Sequence, residues 1–451
     1  MQTGTRYRCL LRVVLLQLCW IGVARAAPYR RTLPPAVPGG PTYVSDTLRL
    51  TLEGALARAR RDNLELRSAR LDTAIALGVE RQARLWPFNP VVDALSAGAA
   101  GGVDYGVSQE VEFPGKAGPR RTAAREGVAR ARAASANAER LTLGNAARGF
   151  YRLVAAGRRR EVAAEVLQLN QRLADAVTRQ LAEGEVNRIT YNLAAIELGR
   201  SRSNLLSAQR EERIARLALG HLLGISPTVE IVPDVNNESD LNLDLLPPDS
   251  LAQVVTPADT FDVVQLIAVA LSRRPDLTER TAAARQASAN AAGSRRAALP
   301  NLLLRLTSEE IGPGERTLRP GVGIAVPLFN RNQGDASAFA AAATQAEQDS
   351  RAIAARVAVE IEGAVADYVA AAAEVATLRS TVLRAGRQNR ELSETAYREG
   401  KIGLPEILLI RNQAISAELD YWSAWLAERE ARVTLAEATG QDLFPSSAGV
   451  P

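Results

Sequence analysis

Of 451 residues only two are cysteine, one is histidine and one is methionine, and aromatics make up 4%. The cysteines are Cys9 and Cys19, both near the amino terminus, and the histidine is His221. A structural zinc or iron–sulfur site, a disulfide framework and a Cys/His catalytic pair therefore lack their raw material. No nucleophile–base constellation replaces them, so the chain reads as no enzyme, without cofactor or metal site. Past the first 26 residues there is also no run of about 18 apolar residues, which excludes a transmembrane helix. An exported chain of that kind is either soluble or meets a membrane as strands.

What is abundant is alanine, about 80 residues and far above ordinary usage. Alanine buries little area but is the best helix former and lets helix axes approach closely. The balance favours long, tightly packed helices over a sandwich or a large α/β enzyme. Charged residues make up 23% with both signs interspersed, as solvated helix faces require.

The amino terminus has the layout of a signal peptide. Arg6, Arg8 and Arg12 lead into an apolar stretch over 13–23, and Ala24-Arg25-Ala26 offers small residues at the two positions a signal peptidase reads. The spacing predicts a signal peptide over 1–26 and export. Acylation of Cys19 would require a small residue just before it, where Gln17-Leu18 stands. Cleavage removes four arginines, so the formal charge falls from +5 by four and leaves no basic bias toward nucleic acid.

Prolines and glycines over 27–44 form a stiff leash, and a second Pro-, Asp- and Asn-rich break covers 226–260. Between them lie two repeats, 45–225 and 261–443, with a tail over 444–451. Arg60-Arg61-Asp62-Asn63-Leu64 resembles Arg273-Arg274-Pro275-Asp276-Leu277, and Pro87 recurs as Pro300, 213 residues on. Gly184 recurs as Gly400 and Leu223-Gly224 as Thr439-Gly440, both 216 residues on. The chain is an internal duplication.

Each repeat reads as helix, two strands, long helix, returning helix. The first helix, over 51–85, ends where Pro87 and Pro90 forbid continuation. Val103, Tyr105, Val107, Val111 and Phe113 then alternate with polar residues, a period of two that only a strand gives. Its partner is 91–96, joined through the glycine-rich 98–102. In the second repeat Leu302, Leu304 and Leu306 mark one strand, and Val322, Ile324, Val326 and Leu328 the other.

The long helices carry heptad seams. Val357, Ile361, Ala364, Tyr368, Ala371, Val375, Leu378, Val382 and Ala385 step by four and three, and a helix over 334–398 would run roughly 95 Å. Val162, Val166, Leu169, Leu173 and Ala176 form the matching seam in the first repeat. Returning helices follow short glycine turns, with seams Leu193, Ile196, Gly199, Ser203, Leu206 and Ile410, Ala414, Ala417, Tyr421, Ala424.

Two short amphipathic strand pairs are too little sheet to stand alone. In a bilayer an unpaired strand edge costs several kcal/mol per orphaned group, so only a closed barrel spans, and the smallest needs about eight strands. Four strands per chain must therefore find their mates in sister copies. Both pairs enter one membrane, so the helical hairpins project to one side and their glycine turns form the far tip.

Several motifs carry a resemblance. They are Ser108 to Gly118 (SQEVEFPGKAG), Pro87 and Pro300 at the helix-to-strand corners, Pro327 to Gly334 (PLFNRNQG) and Tyr397 to Leu408 (YREGKIGLPEIL). Over about 45–443 the chain resembles the TolC family of outer-membrane efflux channels, and most closely its CzcC/CusC-type branch serving heavy-metal exporters of the RND type. The resemblance implies a mainly α fold with β: long coiled-coil hairpins in an α-barrel, and four strands per chain in a shared 12-stranded membrane β-barrel. It implies a homotrimer in outer-membrane lipid, a large periplasmic extension, and docking onto a periplasmic adaptor and an inner-membrane RND-type pump. No chemistry is implied.

By the same resemblance, acids after the tip turns ring a periplasmic gate. Glu406 holds that place in the second repeat and uncharged Thr190 in the first. A first-turn acid at a helix start is favoured with or without a gate. The adaptor-docking tips are Gly184, Asn187, Gly400, Gly403 and Leu404, although αL termination alone accounts for glycine at a helix reversal. Trp86, Pro87 and Pro300 mark membrane-interface corners, with Phe88 beside Trp86. Lys116, Arg120, Arg121 and Arg331 follow the strands as interfacial or solvated charges, and His221 reads as a packing residue rather than a ligand. The alternatives to metal export are drug or small-molecule efflux and a type I secretion channel. More distant are a periplasmic adaptor, which would need lipoyl-like segments, and a coiled-coil scaffold, which would leave the strands unexplained.

Overall fold

A computed structural model describes residues 47–96, 103–234, 262–312 and 315–440. The expected signal peptide and leash, the 98–102 turn, most of the inter-repeat break and the 444–451 tail lie outside the described residues. Within them the chain is mainly helical, with two small sheets. No described helix is long and apolar enough to cross a membrane.

The first repeat runs β1 (Thr47–Leu50), α1 (Leu52–Asp62), α2 (Leu64–Arg84), β2 (Val91–Ser96), β3 (Val103–Val111), α3 (Ala117–Ala182) and α4 (Arg188–Leu222), and β4 (Glu230–Pro233) follows in the inter-repeat break. The second runs α5 (Val263–Arg273), α6 (Pro275–Ala297), β5 (Leu302–Gly312), β6 (Glu315–Ile324) and α7 (Gln333–Thr377). It continues through a π-helical turn (Leu378–Val382) into α8 (Leu383–Arg398) and returns as α9 (Leu404–Thr439). At 66 residues, α3 is about 100 Å long.

The single first helix expected over 51–85 is two helices. Asn63 is extended (φ −62°, ψ 124°), ending α1 and capping α2 through its side chain. Arg274 breaks the second repeat with nearly the same backbone (φ −66°, ψ 122°). The bend lets α1 cover a core that a straight helix would leave. There Leu56, Phe150, Leu153, Leu219, Ile231 and Trp425 pack together, and β1 pairs in parallel with β4, a contact between segments on either side of the first repeat. A second cluster, with Leu266, Val357, Ile361 and Leu435, sits beneath α5.

Both breaks anchor the end of a returning helix. In the first repeat the Asn63 Nδ2 donates to Leu222 O at 2.9 Å while its Oδ1 accepts from Leu66 N at 2.8 Å. In the second, Arg274 donates to Ala438 O at 3.3 Å, to Glu360 at 2.6 Å and to Asp276 at 2.6 Å. Glu437 joins this group, held by Arg148 at 2.9 Å and seated over Gly144, where any Cβ would fall 1.6 Å from its Oε1. Burial pushes Asp276 up, but the hydrogen bonds and charge of Arg274 outweigh it and hold the carboxyl below its ordinary value. For Glu437 burial prevails over Arg148 and Arg140, and the carboxyl lies above its ordinary value.

Two heptad expectations are corrected. The π turn, closed by Leu383 N–H on Leu378 O, adds one residue to the ladder. The seam therefore passes from Val382 to Gly386 rather than to Ala385, and Gly386 lies against Ala414 of α9. On α4 the buried stripe is Ala194, Glu197, Ser201, Ala208 and Leu219, not the stripe through Ile196 and Leu206. Small residues and the buried Ser201–Asn170 hydrogen bond (2.6 Å) let α4 approach α3 closely, turning the larger apolar side chains outward.

Candidate functional site

The strands meet within one chain. The sheet order is β2-β3-β5-β6, all antiparallel, and β3 pairs with β5 from Tyr105↔Ser308 to Val111↔Leu302. This corrects the expectation that each pair finds mates only in sister copies: the inner edges are satisfied internally, and β2 and β6 form the edges of the sheet. β3, β5 and β6 have 9, 11 and 10 residues, the length a tilted membrane strand needs. β6 ends at Ile324, so Val326 and Leu328 fall outside it, with Pro327 between them.

Register sorts the side chains by face. The rows Val92–Val107–Leu306–Pro320 and Val111–Leu302–Ile324 share one face with Tyr105, Leu304, Leu318 and Val322. Most of these large apolar side chains are exposed on the isolated protomer. The other face is mainly polar, with Asp93, Asp104, Ser108, Glu110, Arg305, Thr307 and Arg319 beside Val91, Leu95 and Leu303. Gly106 is needed there, because a Cβ would lie 2.5 Å from the Asp93 carboxylate.

Where helices meet sheet, the corner is tied by polar contacts. Asn301, next to Pro300, donates to Glu110 at 2.7 Å and accepts from Lys116 Nζ at 2.7 Å. Arg120 reaches Glu112 and the carbonyl of Ala83, and Trp86 donates to Glu110 O at 3.3 Å while its ring stays largely exposed. Pro87 and Phe88 line a 530 Å³ cavity beneath this corner. Thus Lys116 and Arg120 are corner locks, whereas Arg121 and Arg331 are exposed. His221 is exposed rather than packed.

At the opposite ends, both hairpin turns are Schellman motifs. Gly184 (φ 77°) and Gly400 (φ 70°) take the left-handed conformation, and the following amides donate back to Gln180 O and Ala396 O at 2.8 Å. Asn187 caps α4 by accepting from Thr190 N (2.9 Å), and the Thr190 hydroxyl also reaches its Oδ1 (3.0 Å). Gly403 caps α9 and is exposed, with Glu406 exposed in the first turn. Leu404, in contrast, is 4% exposed and packs with Ile407, Leu408, Leu173, Val177 and Ala194, joining the two tips. Just behind them Arg411 is buried 3.6 Å from Glu394, and burial pushes its guanidinium below its ordinary value.

Sequence reasoning missed a further surface. Ile189, Ile196, Leu206, Ile214 and Leu217 lie exposed along α4, with Ile196 at 52% and Leu206 at 68%. Polar and small residues interleaved at 197, 201 and 208 were the available sign that this helix has two covered faces. Among the described residues no cluster of His, Cys, Asp or Glu side chains could hold a metal ion.

No protein-family model matches the chain. It is 24% identical to the cobalt-zinc-cadmium resistance protein CzcC of Cupriavidus metallidurans over 397 residues, 87% of this chain and 90% of that protein. Among solved structures, CusC superposes with TM-score 0.71 at 18% identity, covering 90% of this chain and 96% of that one. The Campylobacter jejuni CmeC outer-membrane channel gives 0.69 at 16% identity, covering 86% and 85%. The open-state MtrE outer-membrane channel of Neisseria gonorrhoeae gives 0.67 at 19%, covering 91% and 97%. These likenesses bear out the resemblance read from the motifs and give the chain a TolC-like channel fold. The solved neighbours are channels, not enzymes.

Proposed function

We propose that this protein is the outer-membrane exit duct of a tripartite efflux system, a passive conduit from periplasm to exterior. The observation that carries the reading is the sheet: one exposed apolar face, one mainly polar face and two outer edges with no mate among the described residues. Three copies joined β2 to β6 close a 12-stranded barrel with the apolar face on lipid and Asp93, Asp104, Arg305 and Arg319 toward the lumen. The bare stripe on α4 then packs on the next copy's helices, so strands and hairpins close into continuous barrels. The duct does no chemistry of its own, and the energy for transport comes from the inner-membrane pump, reached through a periplasmic adaptor.

The hairpin tips form the adaptor-docking end, through the exposed turns at Gly184, Asn187, Gly400 and Gly403, with Leu404 holding the two turns together from below. Three Glu406 carboxylates ring the gate, fewer than two acids per protomer would give, and attract cations. Heavy-metal cations are the proposed cargo, in keeping with the name of the CzcC relative.

Planar-bilayer recording of the purified protein tests the duct: expected are cation-preferring currents of low open probability, raised in Glu406→Ala. An unchanged open probability in that variant removes Glu406 from the gate, and absence of any conductance removes the duct. Deleting the gene tests the cargo, with cobalt, zinc and cadmium sensitivity rising ahead of sensitivity to organic drugs.

A further inference from the structure

The π turn borders a cavity of about 830 Å³ between the α7–α8 rod and α9. One wall presents Arg379, Arg384 and Arg387, and the opposite wall presents Tyr421, Trp422 and Trp425. The rings are packed edge to face, Tyr421 on Trp422 at 5.2 Å and Trp422 on Trp425 at 5.7 Å, so Tyr421 and Trp422 present the aromatic wall and Trp425, 4% exposed, backs it.

The π turn sets the cationic wall. In an unbroken α-helix Arg379 and Arg387, eight positions apart, would diverge by about 80°. One extra residue in the turn takes up most of that excess and brings both onto the cavity side. None of the three guanidiniums has a carboxylate partner among the described residues. The one acid in the lining, Glu428, is 3.3 Å from Arg429, which itself lies over the Trp425 ring. The cavity therefore keeps an excess of positive charge against an aromatic wall, at a volume typical of small-molecule sites.

We propose that this cavity binds a flat organic anion, its ring against the partly exposed Tyr421 and Trp422 and its sulfonate or carboxylate among Arg379, Arg384 and Arg387. Guanidinium forks match such anionic groups in pairs, and the open sides of Tyr421 and Trp422 take the ring, while Arg158 holds Trp422 from outside the cavity lining. Every wall comes from one protomer, so the inference stands apart from the duct reading and is tested without conductance.

The test is isothermal titration calorimetry of the purified full-length protein in a non-ionic detergent with 1-naphthalenesulfonate, protein-free micelles being subtracted. Saturable binding is expected, weakened at least about tenfold when salt rises from about 0.05 M to about 0.5 M. The neutral analogue 1-naphthalenemethanol should bind at least about tenfold more weakly, and so should the sulfonate to the Arg384→Gln, Arg387→Gln double variant. Both arginines are exposed, so the variant keeps its fold, checked by circular dichroism. No saturable heat, equal binding of the neutral alcohol, or unchanged affinity in the folded double variant would each overturn the proposal.

Discussion

The two repeats break their first helix at equivalent places with almost the same backbone angles, yet they hold the break with different chemistry. Asn63 uses one buried neutral amide to cap α2 and to bind the last turn of α4. Arg274 does the second job with a guanidinium, which then requires Asp276 and Glu360 around it. The positions after the returning helices are left-handed glycines in both, Gly224 (φ 63°) and Gly440 (φ 66°), each pressed on the break it faces. Geometry was therefore kept while the polar group diverged. The ionic version reaches farther: through Arg140 and Arg148 on α3 and Glu437 on α9 it ties the two repeats together.

That contrast can be broken by substitution. The largest effect is expected for Arg274→Met, which takes the guanidinium from Asp276 and Glu360, leaves Asp276 with Arg140 at 4.0 Å, and should lower stability by about 3 kcal/mol in denaturant unfolding. Asn63→Ala removes a cap and a buried donor without leaving a charge behind, and about 2 kcal/mol is expected. If the asparagine variant proves the more damaging, charge is not what separates the two breaks.

The smallest effect is one of pH. Asp276 lies below its ordinary value when folded, so its ionised form adds stability above that ordinary value, and the contribution is lost as pH falls through the folded one. Glu437 has the opposite sign: its raised folded value makes ionisation cost stability as pH rises toward it. Asp276→Asn should flatten the acid limb of thermal stability measured down to about pH 3, while Asn63→Ala should leave its slope unchanged. Equal slopes in wild type and Asp276→Asn would show that the ion cluster does not govern the acid limb.

Much of this was legible in the residues. Period-two alternation gave the strands, proline gave the corners, and glycine spacing gave the hairpin turns. The break at Asn63 was not, because no glycine or proline announces it and an asparagine mid-pattern reads as tolerated polarity. The buried stripe of α4 was misread for a related reason. Large apolar side chains mark a face that must be covered, but not whether by the same chain, and Ile196 and Leu206 are left bare by their own protomer. The pairing of β3 with β5 joins strands about 200 residues apart, which no local pattern reports. The single extra residue of the π turn likewise leaves no trace in an alanine-rich heptad. Leu404 lies in the joint between the tips rather than on their surface, and His221, read as a packing residue, is exposed, because neither local pattern reports what the other hairpin or the helix end covers.

In the proposed assembly the outer edges of β2 and β6, unpaired among the described residues, tie folding of this region to the number of molecules present. Among the described residues of a single chain nothing covers either edge or the greasy side of the ribbon. In the proposed duct, ring closure and bilayer entry would then happen almost as one event, with a rate that climbs steeply with local copy number. Supply of fresh chains, more than the intrinsic strength of any strand, would then decide how much finished assembly a cell obtains.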